Sequence, residues 1–142
     1  MLLVCCVALS SCSDDADSGK DNEIPRDIDI VGTWKLTIAD GGWNGYQLMT
    51  FHPDGKFTLE EFRLDDGSYD ICLGTYRRMY DIIRMTYLTE NGQPYQDDDD
   101  VVIYTILSLS DNRMSLRFEG PSLGYDTDYT DEDYAVWDRV SE

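Results

Sequence analysis

From Ile28 onward the chain alternates apolar and polar positions in short runs divided by turn residues. Trp34, Leu36 and Ile38 are spaced by Thr33, Lys35 and Thr37, the period of a strand with one buried face. Asp40-Gly41-Gly42 ends that run, and Tyr46 to Phe51 forms the next. His52-Pro53-Asp54-Gly55 is a tight turn, with Pro presetting φ and Gly able to take a positive one. Phe57 to Leu64 follows, closed by Asp65-Asp66-Gly67, and Ile71 to Met79 pairs with Ile82 to Leu88 around Tyr80-Asp81. Asn91 to Pro94 reads as a loop. Val101 to Leu109 and Met114 to Phe118 flank Ser110 to Arg113, a hairpin signal, and Tyr134 to Val140 closes the chain after a long polar loop. No segment sustains a 3.6-residue apolar stripe. Eight or so short strands joined by hairpin turns predict an all-β antiparallel up-and-down meander, which removes its edges by closing into a barrel or folding into a sandwich.

The first 27 residues have a different texture. Residues 1–12 are an apolar run too short to span a bilayer as a helix but of signal-peptide length. Its end, Leu9-Ser10-Ser11-Cys12, resembles a bacterial lipobox, which implies cleavage after residue 11 and a diacylglycerol on the Cys12 thiol. No Lys or Arg precedes the run, so this pattern expects the natural start a few codons upstream. Residues 12–27 are mostly Ser, Asp, Asn, Lys and Gly, the composition of a flexible acidic tether. Ser13-Asp14-Asp15-Ala16-Asp17 is also similar to the acidic export signal of surface lipoproteins in one phylum of Gram-negative bacteria, although any solvated linker has this composition. The expected organisation is a signal peptide over 1–11, a lipidated tether over 12–27 and one barrel domain over 28–142. The expected place is the cell envelope, on the outer membrane, with exposure at the surface left as an open alternative.

The opening Gly32-Thr33-Trp34 and the closing Trp137-Asp138-Arg139 are similar to the first and last strands of lipocalins and related calycins. Phe51-His52-Pro53-Asp54-Gly55-Lys56-Phe57 followed by Gly74-Thr75-Tyr76 resembles the bacterial lipocalin-like domain family, over about residues 28–141. The resemblance implies a closed barrel of eight to ten strands, with Arg139 packed over Trp34 where first and last strands meet. It also implies membership among secreted or lipid-anchored proteins, with an apolar cavity open at one end.

Charge narrows the partners. Eleven basic against 29 acidic residues give a formal net charge of −18. That argues against nucleic acid and against electrostatic docking onto anionic lipid. The acidic groups Asp126, Asp128 and Asp131 offer carboxylate oxygens for Ca²⁺, as does the run Asp97 to Asp100. The later group lacks an EF-hand's glycine at its sixth position and carries Trp137 where that loop needs Glu, so a solvated face is the preferred reading and no metal or cofactor is assigned.

Catalytic chemistry finds little support. The single histidine, His52, sits in a turn, and without a second His the usual Ser-His or Cys-His couple and a His-based zinc site are missing. Cys72 reads as a small buried hydrophobe. Glu60 and Glu61 represent the many carboxylates that chance alone brings together. Strand parity places Leu36 and Ile38 with Trp34 inside, and Met49, Phe51, Tyr76, Met85 and Tyr87 are interior partners that either line a cavity or fill the barrel. Trp43 and Tyr46 are rim contacts or part of a packed lid. The leading expectation is a non-enzymatic, lipid-anchored protein that binds a small apolar or amphipathic ligand through Trp43, Tyr46, Met49, Tyr76, Met85 and Tyr87. The alternative is a protein–protein module of a surface assembly using Trp43, Tyr46 and the loop around Tyr125 and Tyr129. A carboxylate-based hydrolase is third.

Overall fold

A computed structural model describes residues 24–25, 27–38, 45–96, 100–120 and 134–141. Nine strands and no helix occur among the described residues: β1 Gly32–Ile38, β2 Gly45–Phe51, β3 Lys56–Arg63, β4 Tyr69–Met79, β5 Ile82–Glu90, β6 Gln93–Pro94, β7 Val101–Leu109, β8 Arg113–Gly120 and β9 Tyr134–Arg139. Eight of them form a continuous antiparallel ladder in the order β4-β3-β2-β1-β9-β8-β7-β5, and β4 pairs β5 to close it. The meander is therefore a barrel and not a sandwich. Closure joins the two ends of the chain: Trp34 lies opposite Arg139 and Leu36 opposite Trp137.

The alternation read from sequence decides what fills the barrel. Trp34, Met49, Phe51, Phe57, Ile83, Met85, Met114 and Leu116 point inward and are at most 1% exposed. Each places a large apolar group in a dry interior, a gain of about 1.5–3 kcal/mol per side chain. One element lies where a loop was expected. Asn91 and Gly92 take φ of 50° and 77°, the left-handed pair that a two-residue hairpin turn requires. The turn sends Gln93 and Pro94 back along β5 as β6, with Glu90 opposite Gln93. β7 then resumes on the same edge of β5, with Val101 opposite Thr86.

One end is sealed by residues that composition had assigned partly to the tether. Ile24 and Ile28 pack against the core and Ile30 is 2% exposed. Two arginines hold this strap by its backbone alone. Arg78 donates from Nη2 to the Pro25 carbonyl at 3.0 Å and from Nη1 to the Ile28 carbonyl at 2.5 Å. Arg139 donates to the carbonyls of Val31 at 2.6 Å and Asp29 at 2.7 Å. The Trp34 indole N–H reaches the Ile30 carbonyl at 2.8 Å. Among the described residues packing thus reaches back to Ile24, four residues before the boundary that composition suggested.

Candidate functional site

The antiparallel ladder assigns each connection to an end. Turns 52–55, 80–81 and 110–112 lie with the strap, at the closed end. Turn 64–68, the β5–β6–β7 excursion and the connections β1–β2 and β8–β9 leave from the opposite end, the mouth.

At the closed end the Arg139 guanidinium carbon stands 4.3 Å from the centroid of the Trp34 ring, which is fully buried. That stacking is worth about 0.5–2 kcal/mol. Tyr76 is half-buried beside it, edge-on to Phe51 at 4.7 Å, and its hydroxyl donates to the His52 carbonyl at 2.9 Å. The His52 ring is half-buried, with Nε2 3.2 Å from the Thr58 hydroxyl, so it is less exposed than a turn residue was expected to be. A groove of about 730 Å³ runs outside this end between the 52–53 turn and Arg139–Val140, over Gly32 and Thr33.

Toward the mouth the interior becomes polar. Gln47 continues the inward row of Met49 and Phe51, and Glu61 continues that of Phe57 and Leu59. The two meet, with the Gln47 amide donating to the Glu61 carboxylate. Burial pushes the Glu61 carboxyl above its ordinary range, with Asp70 and Glu90 adding to the push and Arg63 and the Gln47 bond opposing it. On the same side, burial first and then Glu90, Glu61 and Asp70 raise the Cys72 thiol to about 11. Cys72 is 6% exposed and therefore a neutral, unreactive thiol at neutral pH. Aromatic rings complete the wall. Tyr87 meets Phe57 edge-on at 5.0 Å and stacks on Tyr95 at 5.2 Å, while Tyr104 meets Phe118 at 5.8 Å. Burial raises Tyr104 to about 12, against a hydrogen bond from Tyr87.

The residues named from sequence fall into separate places. Met49 and Met85, at 1% and 0% exposure, lie in the packed interior and do not line an open cup. Tyr87, at 8%, sits between that interior and the mouth. Tyr46 faces outward, stacked on Phe62 at 5.4 Å, because it is one residue out of phase with Gln47 and Met49. Glu60 and Glu61, adjacent in a strand, point to opposite faces: Glu60 accepts from the Tyr69 hydroxyl outside, Glu61 from Gln47 inside. They are not a facing carboxylate pair. Asp100 is exposed, and its carbonyl accepts the Tyr87 backbone N–H at 2.7 Å. Cys12, Trp43, Tyr125, Tyr129, Asp126, Asp128, Asp131 and Asp97 to Asp99 lie outside the described residues. Among the described residues no group of three or more His, Cys, Asp or Glu is placed to hold a metal ion.

Sequence reasoning did not single out Gln47, Tyr95, Tyr104 or Phe118. Parity from Met49 was signal enough for Gln47. Nothing in the sequence marked Arg78 as a clasp.

No family model matches the chain, and no curated protein matches it. Among solved structures it is similar to an uncharacterized protein from Bacteroides eggerthii, with 17% identity, a TM-score of 0.48, and coverage of 79% of this chain and 100% of that one.

Proposed function

We propose that this chain is a lipid-anchored protein of the cell envelope, carried on the outer membrane through Cys12, whose lipocalin-like barrel binds a small amphipathic molecule without transforming it. The observation that supports this is the contrast inside the barrel. The interior behind Trp34 is packed and sealed, so a ligand is confined to the mouth, where Tyr87, Tyr95, Tyr104 and Phe118 supply apolar surface and Gln47–Glu61 a polar end. A non-catalytic role agrees with a thiol held neutral, a histidine engaged with Thr58 and two neighbouring glutamates on opposite faces.

Native mass spectrometry of the domain from residue 24, purified from a bacterial host, tests this reading. A retained small-molecule mass is expected, disappearing on denaturation and weakened by Tyr104→Ala. A bare protein mass after incubation with a lipid and amphiphile panel would refute binding.

A second reading, the protein–protein module, draws on the outer wall. Tyr46, Phe62 and Tyr69 are successive cross-strand partners on β2, β3 and β4, and Tyr46 and Tyr69 are 36% and 44% exposed. An exposed aromatic row of this kind suits a protein partner. It gains if the mouth proves empty and Tyr46→Ser abolishes a pull-down that Tyr104→Ala leaves intact.

A further inference from the structure

The β4–β5 hairpin carries an exposed basic patch outside the packed interior of the barrel. Arg77 and Arg84 are cross-strand partners, both exposed on the outer wall. Like charges placed opposite each other in a ladder are destabilising. Among the described residues neither has a carboxylate within ion-pair distance, although the chain holds 29 acidic residues. Immediately below them, at the turn, Met79 and Tyr80 are 45% and 69% exposed. Positions 77–84 contain one acidic residue, Asp81, against three arginines, of which Arg78 is turned away to clasp the strap. An exposed Tyr and Met tip flanked by outward guanidiniums matches the layered chemistry of a bilayer surface, with anionic headgroups outside and a less polar boundary beneath.

The chain's own path brings this patch to a membrane. Arg78 of the same hairpin holds the Pro25 carbonyl, so the N-terminal segment enters the barrel beside it. Cys12 precedes Pro25 by 13 residues, a reach of at most about 45 Å when extended. The net charge of −18 opposes such docking for the domain as a whole, but screening over about 8 Å at physiological salt leaves the nearest charges to decide. A diacylglycerol on Cys12 carries two acyl chains and anchors without help, so a basic, amphipathic contact would set how the domain is oriented on the surface.

We infer that the Arg77–Arg84 and Met79–Tyr80 patch docks on an anionic bilayer surface, which turns the closed end toward the membrane and the mouth toward the aqueous phase. This rests on lipidation of Cys12.

The test uses the full-length chain expressed with its leader and reconstituted in vesicles of phosphatidylglycerol and phosphatidylcholine containing a nitroxide-labelled lipid. A fluorophore is placed at Leu107→Cys, on the wall toward the closed end, or at Leu64→Cys, in the turn at the mouth. Cys72, buried, stays unlabelled. Stronger quenching at position 107 than at 64 is expected. The difference should be lost with Arg77→Glu plus Arg84→Glu, with Met79→Ser plus Tyr80→Ser, and in 1 M salt, where the screening length falls to about 3 Å. Equal quenching at the two positions, or a difference that survives charge reversal, overturns the docking while Cys12 is shown by mass to carry lipid. An unmodified Cys12 overturns the anchoring itself, and the docking with it.

Discussion

The two ends of this barrel solve opposite problems with the same alternating strands. At the closed end the inward positions are Trp34, Phe51, Phe57, Met114 and Ile83, and the strap adds Ile30 to that apolar packing while its backbone receives the Trp34 indole N–H and the Arg139 guanidinium. At the mouth the same inward rows run on into Gln47, Glu61 and Asp70, and three of the rings there, Tyr87, Tyr95 and Tyr104, are tyrosines, which bring hydroxyls with their apolar faces. The difference shows where stability and recognition separate. A carboxylate such as Glu61 inside a barrel costs stability, visible in its raised pKa, and is tolerated only where water or a guest can reach it.

If that contrast is correct, substitutions should divide by end. Trp34→Ala should have the largest effect, about 3–5 kcal/mol, because it empties a sealed site, removes the bond to Ile30 and strips Arg139 of its stacking face. Chemical denaturation followed by far-UV circular dichroism measures it, and a loss under 1 kcal/mol would break the comparison. Arg139→Ala should cost about 2 kcal/mol, with Arg139→Lys recovering less than half, since an ammonium can neither stack flat on an indole nor fork between two carbonyls. Hydrogen exchange at Ile30 and Val31 should rise in both variants. On the outer wall, Tyr46→Ser should cost roughly 0.2–1 kcal/mol, the worth of a cross-strand aromatic pair.

Glu61→Gln should have the smallest effect at neutral pH and the opposite sign. The Glu61 carboxyl is raised in the folded chain, so its charged form is a cost above the folded pKa. That cost is relieved as pH falls through the folded value toward the ordinary carboxylate pKa. The variant should therefore gain less than about 1 kcal/mol at pH 7 and lose that advantage on acidification. Wild type proving more stable than the variant at pH 7, with the gap widening as pH rises, would place Glu61 in a favourable ion pair instead.

The eight barrel strands were legible because each alternates over five or more residues between clear turns. β6 was not, since two residues including a proline carry no period. The strap was hidden for a related reason. Ile24, Ile28 and Ile30 sit among Asp, Pro and Arg at spacings of four and then two, which sustain no single period, and such a stretch looks like linker until a barrel end is there to receive it. Parity could have turned Glu61 inward and Glu60 outward. In a chain with 29 acidic residues, however, a carboxylate by itself signals nothing. The pairing of first and last strands was legible only through the Trp34 and Arg139 motifs, because alternation says which face is buried and not which strands are neighbours.

That pairing has a kinetic consequence. Arg139 reaches back 110 residues to the Asp29 carbonyl and 108 to that of Val31. Among the described residues the other ladder contacts, from β1–β2 through β8–β9, join strands that follow one another along the meander, with only the β6 excursion between β5 and β7. A chain emerging from a ribosome or an export pore can lay these down in order, but it remains an open sheet with two bare edges until β9 is free. Closure is then a single late event, timed by the arrival of β9, and a chain cut just before Asp138 should accumulate as an aggregation-prone sheet and not as a slightly weaker barrel.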